Sequence, residues 1–188
     1  MPVNRGKSVC SALVCALMTG RATVYQRALD ALCARFGPVA LQSDAYAIDA
    51  AGYYAREMGG GLSKQLFCFS SLVDTAALCA CKEAAMEIEQ SLTRTVDGVA
   101  CRTANIDPGL LSLESLVLST TKRVGHRICI GTGIWAETTL LYQKGGYRSL
   151  PWTYLDYQSD LVQDFLMDCR QWLRGALRAG ENSKMDVT

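Results

Sequence analysis

His126 is the only histidine in the chain, and it falls in the stretch richest in groups able to do chemistry, Asn105 to Glu137. A free imidazole titrates near neutrality and can move a proton, whereas a histidine at the start of a strand often only bonds nearby backbone. Both readings stand for His126. Arg127 follows it directly, with Lys122 and Arg123 just upstream. Cations that bracket a turn can clamp a phosphate or carboxylate, arginine in bidentate fashion. Lys122 and Arg123 could equally complement the C-terminal end of a preceding helix. That second reading suits Arg123, and the anion site suits Arg127. Glu137 lies in an otherwise apolar run, Ile134 to Leu140, and if turned inward it needs a partner. A short loop at Gly131-Thr132-Gly133 would bring residues 127 and 137 close to opposite each other. An Arg127–Glu137 pair is therefore expected, either structural or lining an anion site. The second use is preferred, because His126 and Lys122 add donors to the same turn.

Other residues join this set. Asp107, with Asn105 beside it, ends an apolar run, and Asp107 or Glu137 could work with His126 in acid–base chemistry. Asp107, His126, Glu137 and Asp156 could alternatively form an oxygen-rich metal site with one nitrogen ligand, a pattern of low specificity. Trp152 and Tyr154 flank Thr153, and their rings can stack on a base or sugar or pack as core. Gly59-Gly60-Gly61 is not followed by the Lys-Ser/Thr of a phosphate loop and reads as a turn.

The elements that must hold these residues read in order. The apolar run from Val9 to Leu17 fits a central strand covered on both faces. Arg5 and Lys7 ahead of it give the look of a short leader, but no clean cleavage site follows, so the strand reading is taken. Thr23 with Gln26 suggests the capped start of a helix that ends at Gly37-Pro38. A weak strand follows from Val39 to Ile48. Helical turns come from Asp49, carrying Tyr53 and Tyr54, then a strand from Lys64 to Val73. Asp74 caps a helix with the stripe Leu78, Cys81, Ala85, Ile88 and Leu92. Asp97-Gly98 turns into a fourth strand, Val99 to Ile106. That order predicts an α+β fold with a ferredoxin-like βαββαβ core. Asp107-Pro108-Gly109 is turn chemistry, and Ser112 caps a short helix over Leu113 to Val117. A β-hairpin over 127–130 and 134–142, a strand from Tyr147 and a last helix from Ser159 make a C-terminal extension. That last helix carries acids early and Arg170, Arg174 and Arg178 late.

Length and composition bound the function. The 188 residues fit one domain, taken as 1–180, with a polar tail at 181–188. A net charge of +1 gives no global field for nucleic acid, so broad nucleic-acid binding and membrane association are not expected. The nine cysteines include no Cys-x-x-Cys, are odd in number and mostly sit in apolar runs. They read as reduced, buried thiols of a cytosolic protein, unliganded by metal.

Several segments are similar to a known family. They are Phe36-Gly37-Pro38, Tyr53-Tyr54 with Glu57-Met58-Gly59, Asn105 to Gly109, and Leu116 to Lys122. The densest are His126-Arg127 through Gly131, Gly133, Glu137 and Thr139, then Pro151-Trp152-Thr153-Tyr154 with Asp156-Tyr157. In order, and from roughly residue 8 to 175, they resemble the bacterial and archaeal domain of unknown function 4416. The chain departs from that pattern in its many cysteines, around Arg21 and after Asp49. The resemblance implies a small cytoplasmic domain and brings no activity, cofactor or catalytic role. The residues themselves support three functions. The first is a domain binding a phosphate-bearing ligand, a nucleotide or RNA end, through Arg127, Lys122 and His126, with Asn105, Trp152, Tyr154 and Asp156 around them. The second is an acid–base or metal-assisted enzyme using His126 with Glu137 or Asp107. The third is an interaction module whose polar cluster is structural. The sequence specifies neither a cofactor nor an oligomeric state.

Overall fold

The structure, a computed structural model, describes residues 10–48 and 57–183. The expected helical turns with Tyr53 and Tyr54, and the end of the expected tail, lie outside these residues. The fold is mixed α+β. Among the described residues, a nine-stranded antiparallel sheet lies between helices on both of its faces.

The central strand is β1 (Cys10–Thr19), which pairs with β4 (Ser63–Asp74) on one side and β7 (Asn105–Leu111) on the other. Its alternate residues serve two cores. Leu13, Cys15 and Leu17 pack with α1 (Ala22–Phe36) and α2 (Leu78–Ser91). Ala12, Val14 and Ala16 pack with α3 (Asp160–Ser183). A strand covered on both faces has no polar side to show, which is why the run reads as continuously apolar. Beyond β4 lie β2 (Val39–Gln42) and β3 (Tyr46–Ala47), two short pieces of the expected second strand. Beyond β7 come β8 (Ser115–Thr120), β10 (Ile134–Gln143) and β11 (Gly146–Ser149), with β9 (Ile128–Gly131) beside the start of β10. The sheet order is β11-β10-β8-β7-β1-β4-β2. The C-terminal strands thus continue the main sheet. A separate hairpin, β5 (Arg94–Val96) with β6 (Val99–Cys101), stands between α2 and β7.

Several local expectations are corrected. Leu113 to Val117 is no helix. Leu116 and Leu118 are buried with Val117 between them, a period of two, and β8 finds partner strands on both edges. Ser112 uses its capping chemistry in the turn before β8, where its hydroxyl accepts from Glu114 N and Ser115 N. Lys122 and Arg123 therefore follow a strand and complement no helix end. Asp107-Pro108-Gly109 is not a turn but the middle of β7, and the strand expected from Val99 is split between β6 and β7. The cap of α1 is Arg21, which makes no side-chain cap bond, and Thr23 lies inside the helix. The C-terminal end is as expected: Gly37, at φ 92°, donates to Cys33 O and Pro38 follows. The last helix runs through 181–183, the first three residues of the expected tail. No helix among the described residues is long and apolar enough to cross a membrane.

Candidate functional site

The site begins with a proline. In β7 the N–H and C=O of Ile106 face away from β1, toward β8, and Pro108, two residues on, faces the same way. Proline has no N–H for a ladder bond, so it belongs where a strand edge is open. The register of β7 with β8 runs only from Leu111↔Leu116 to Gly109↔Leu118. Below that point the strands part, and Ser119 reaches Pro108 O with its hydroxyl, at 2.8 Å. At Gly109 they are so close that a Cβ would meet Val117 O at 3.0 Å. Helix α2 fills the place of the missing ladder. Glu89 accepts from Ile106 N at 2.5 Å, and Lys82 Nζ donates to Ile106 O at 2.8 Å. Lys82 also reaches Asp107 Oδ1 at 3.2 Å, Asn105 donates to Asp107 Oδ2, and Arg102 joins Asn105, Glu57 and Glu89. Burial pushes the Asp107 carboxyl up, but Lys82, Lys64 and the bonds from Lys82 and Asn105 outweigh it and hold it below the usual range. For Glu89 burial wins over Lys82, Ile106 N–H and Arg102, and its carboxyl is raised.

Around this split opens a cleft of about 1120 Å³. Its apolar wall includes Met18, Ile48, Met86, Leu118 and Leu161, and its rim carries Thr120, Thr121 and Lys122. Lys64, opposite Met18 in the register of β4 with β1, pairs with Asp156 at 2.6 Å, and Tyr46 OH donates to the same oxygen at 3.0 Å. Burial, then the neighbouring Asp156, push the Tyr46 phenol up, so it stays a donor.

A third cluster borders the cleft. Glu137 on β10 faces Arg127 and His126, which come just before β9. Arg127 Nε donates to Glu137 Oε2 at 2.6 Å, and His126 Nε2 lies 2.9 Å from the same atom. A bond to a carboxylate requires that nitrogen to carry the proton. The other guanidinium nitrogens of Arg127 donate to Lys122 O and Tyr154 OH. The Arg127 and Glu137 side chains are 6% and 2% exposed. His126 stacks on Trp152, with ring centroids 4.6 Å apart, and Trp152 Nε1 donates to Thr138 O.

A family model described as Domain of unknown function (DUF4416) matches residues 10–172. The chain belongs to the DUF4416 family. No curated protein and no solved structure matches it at a significant level. The DUF4416 match therefore runs through all three clusters but names no chemistry for any of them.

Of the residues expected to act together in this DUF4416 chain, His126, Arg127, Glu137, Tyr154 and Trp152 do converge, and Lys122 joins them through its carbonyl. Asn105 and Asp107 belong instead to the split, and Asp156 to Lys64. The oxygen-rich metal site of Asp107, His126, Glu137 and Asp156 is not assembled. Among the described residues no three His, Cys, Asp or Glu side chains are grouped to hold a metal ion. The physical reason is that Asp107, Asp156 and Glu137 are each already held by a cation: Lys82, Lys64 and Arg127. The sequence reading missed Lys64, Lys82, Glu89, Arg102 and Tyr46. The signal for two of them was present. Lys82 and Glu89 are seven apart with Ala85 between, on the flank of the buried stripe of α2. A helix turns its sevenths to one face, so a base and an acid there point into the protein together.

Proposed function

We propose that the protein is a binding domain for a small phosphate-bearing ligand, a nucleotide or an RNA end, and that the ligand sits in the cleft at the split. The observation that carries this reading is the cleft itself, about 1120 Å³, with Lys64, Lys82, Arg102 and Lys122 along it beside an apolar wall. Ligand clefts of roughly 300–1,000 Å³ pair apolar walls with a few placed polar groups in the same way. Met18, Met86 and Ile48 offer apolar surface for a base, and the cations and the Thr120-Thr121-Lys122 stretch suit a phosphate. In this reading Arg127 and His126 are the frame of the site and not its contact surface, since every nitrogen of the Arg127 guanidinium is already bonded within the protein. The proposal places the domain in the cytoplasm. It also includes a ferredoxin-like core: β1, α1, β2, β4, α2 and β7, with neighbours β7-β1-β4-β2, are consistent with that pattern, extended by β8, β10 and β11.

Thermal unfolding with AMP, ATP, inorganic pyrophosphate and adenosine tests the reading. A ligand at a hundred times its dissociation constant stabilises by about 2.7 kcal/mol. AMP or ATP is expected to raise the melting temperature more than adenosine does. No shift with any phosphate compound at millimolar concentration overturns the proposal.

A further inference from the structure

Among the described residues, four bases and four acids line the cleft: Lys64, Lys82, Arg102 and Lys122 against Glu89, Asp107, Glu137 and Asp156. Lys64, Lys82 and Arg102 each already pair with an acid. A phosphate that engages one of these three cations therefore competes with a carboxylate already there. The acids differ in how firmly they are held. Glu137 is buried under Arg127 and His126. Glu89 is tied to the backbone of β7 through Ile106 N, and Asp107 is itself in β7. Asp156 alone of the four sits on a surface turn, Leu155–Gln158, between β11 and α3. Leu155 beside it is 86% exposed, and Tyr154 is exposed too. By contrast, the two groups that hold Asp156 are set by the sheet. Tyr46 on β3 and Lys64 on β4 are directly paired in the strand register, so their side chains share a face and their spacing is fixed. The ammonium of Lys64 also lies over the buried ring of Tyr157, 5.6 Å from its centroid, a contact independent of the Asp156 carboxylate.

We propose that Lys64 and Tyr46 form the anion subsite of the cleft, and that Asp156 is its built-in occupant, displaced by the phosphate of the ligand. The inference rests on the reading of the cleft as a site for a phosphate-bearing small molecule. Its chemistry is an exchange of one oxyanion for another on the same two donors, an ammonium and a neutral phenol. Asp107 lines the same cleft as Lys64, so an acid stays near the subsite after Asp156 has left. That favours a monophosphate over a polyphosphate. When Asp156 leaves, its turn loses the bonds to Tyr46 and Lys64 but stays anchored by the buried Tyr157, so the cleft opens at Asp156 itself.

The test is calorimetric titration of AMP, inorganic phosphate and adenosine into the unaltered protein, D156N and K64M, with hydrogen exchange of residues 154–159 followed in the unaltered protein. A latch closed about nine-tenths of the time weakens apparent affinity about tenfold, so D156N is expected to bind AMP about tenfold more tightly. K64M should lose that binding, adenosine should show no difference between the unaltered protein and D156N, and AMP should speed exchange at 154–159. Equal AMP affinity in the unaltered protein and D156N, with exchange at 154–159 unchanged, overturns the displacement while leaving the cleft as the binding site. Should D156N fold poorly, the exchange measurement on the unaltered protein decides alone. No binding of AMP or phosphate by any of the three proteins overturns the cleft reading and this inference with it.

Discussion

Two acid–base clusters lie against the same cleft, and they use the same ion-pair chemistry to opposite ends. In one, Glu137 in the middle of β10 meets Arg127, whose nitrogens are all bonded to Glu137, Lys122 O and Tyr154 OH. In the other, Asp156 on a surface turn meets Lys64 and Tyr46 on paired strands. The first acid is fixed by the sheet and sealed from water. The second can leave, because it sits beside the exposed Leu155 on a short turn that the buried Tyr157 anchors without it. What separates a brace from a latch here is the element that carries the acid, more than the strength of the pair.

Removing the base from each pair should widen that difference. Arg127→Ala leaves the Glu137 carboxylate buried without its main partner, which costs about 3–5 kcal/mol. Arg127→Met together with Glu137→Leu should recover much of the loss, because an apolar pair carries no stranded charge. Lys64→Ala is expected to cost only about 1–2 kcal/mol, since Asp156 can turn to water and keeps Tyr46. Urea unfolding of the four proteins measures this. Equal losses at the two sites would erase the contrast, and a small loss at Arg127 would return that residue to the list of ligand contacts.

A smaller effect is expected at the split, which lies between these extremes. Lys82 is 5% exposed, but its partner Asp107 keeps about a third of its side-chain surface. Lys82→Met should strand the carbonyl of Ile106 and leave Asp107 with Asn105 and solvent, a loss of about 2–3 kcal/mol. Hydrogen exchange should localise the effect to Asn105–Pro108, where α2 stands in for a strand. Uniform exchange changes across the sheet would argue that Lys82 does no such local task.

The sequence made the two cores of the sheet readable because their signal is local. The run around Leu13 and Leu17, the stripe of α2 and the Gly37-Pro38 stop each declare themselves within a few residues. The Arg127–Glu137 pair was also readable, because a short hairpin loop joins the two strands. The region around Pro108 was not. Asp-Pro-Gly is turn chemistry in most settings, and only the open edge made by the split admits it to a strand. Leu113 to Val117 misled for a related reason. Its residues suit helix or strand, and the choice was made by β7 and β10 on either side. Lys64, Tyr46 and Asp156 come together from positions up to 110 residues apart, so no spacing could announce them.

The finest test of the split is its response to acid, because its two carboxylates should respond with opposite sign. Burial raises the Glu89 carboxyl above its ordinary value of 4.5, so the folded protein takes up that proton before the unfolded chain does. Stability from Glu89 therefore increases as pH falls from neutrality through the raised value, and is complete below the ordinary one. Asp107 is pulled below its ordinary value of 3.8, chiefly by Lys82 against the cost of burial. Its contribution is present above 3.8 and is lost as pH falls further, through the depressed value. Unfolding free energies at closely spaced pH values should separate the two when the unaltered protein is compared with Glu89→Gln and Asp107→Asn. The glutamine variant keeps an acceptor for Ile106 N–H and should lack the mild-acid gain, while retaining the steeper loss below 3.8. The asparagine variant should do the reverse. If the difference curve for Glu89→Gln is flat between neutrality and 4.5, Lys82, Arg102 and the Ile106 N–H offset the burial of that carboxylate in full, and the opposite response of the two carboxylates fails.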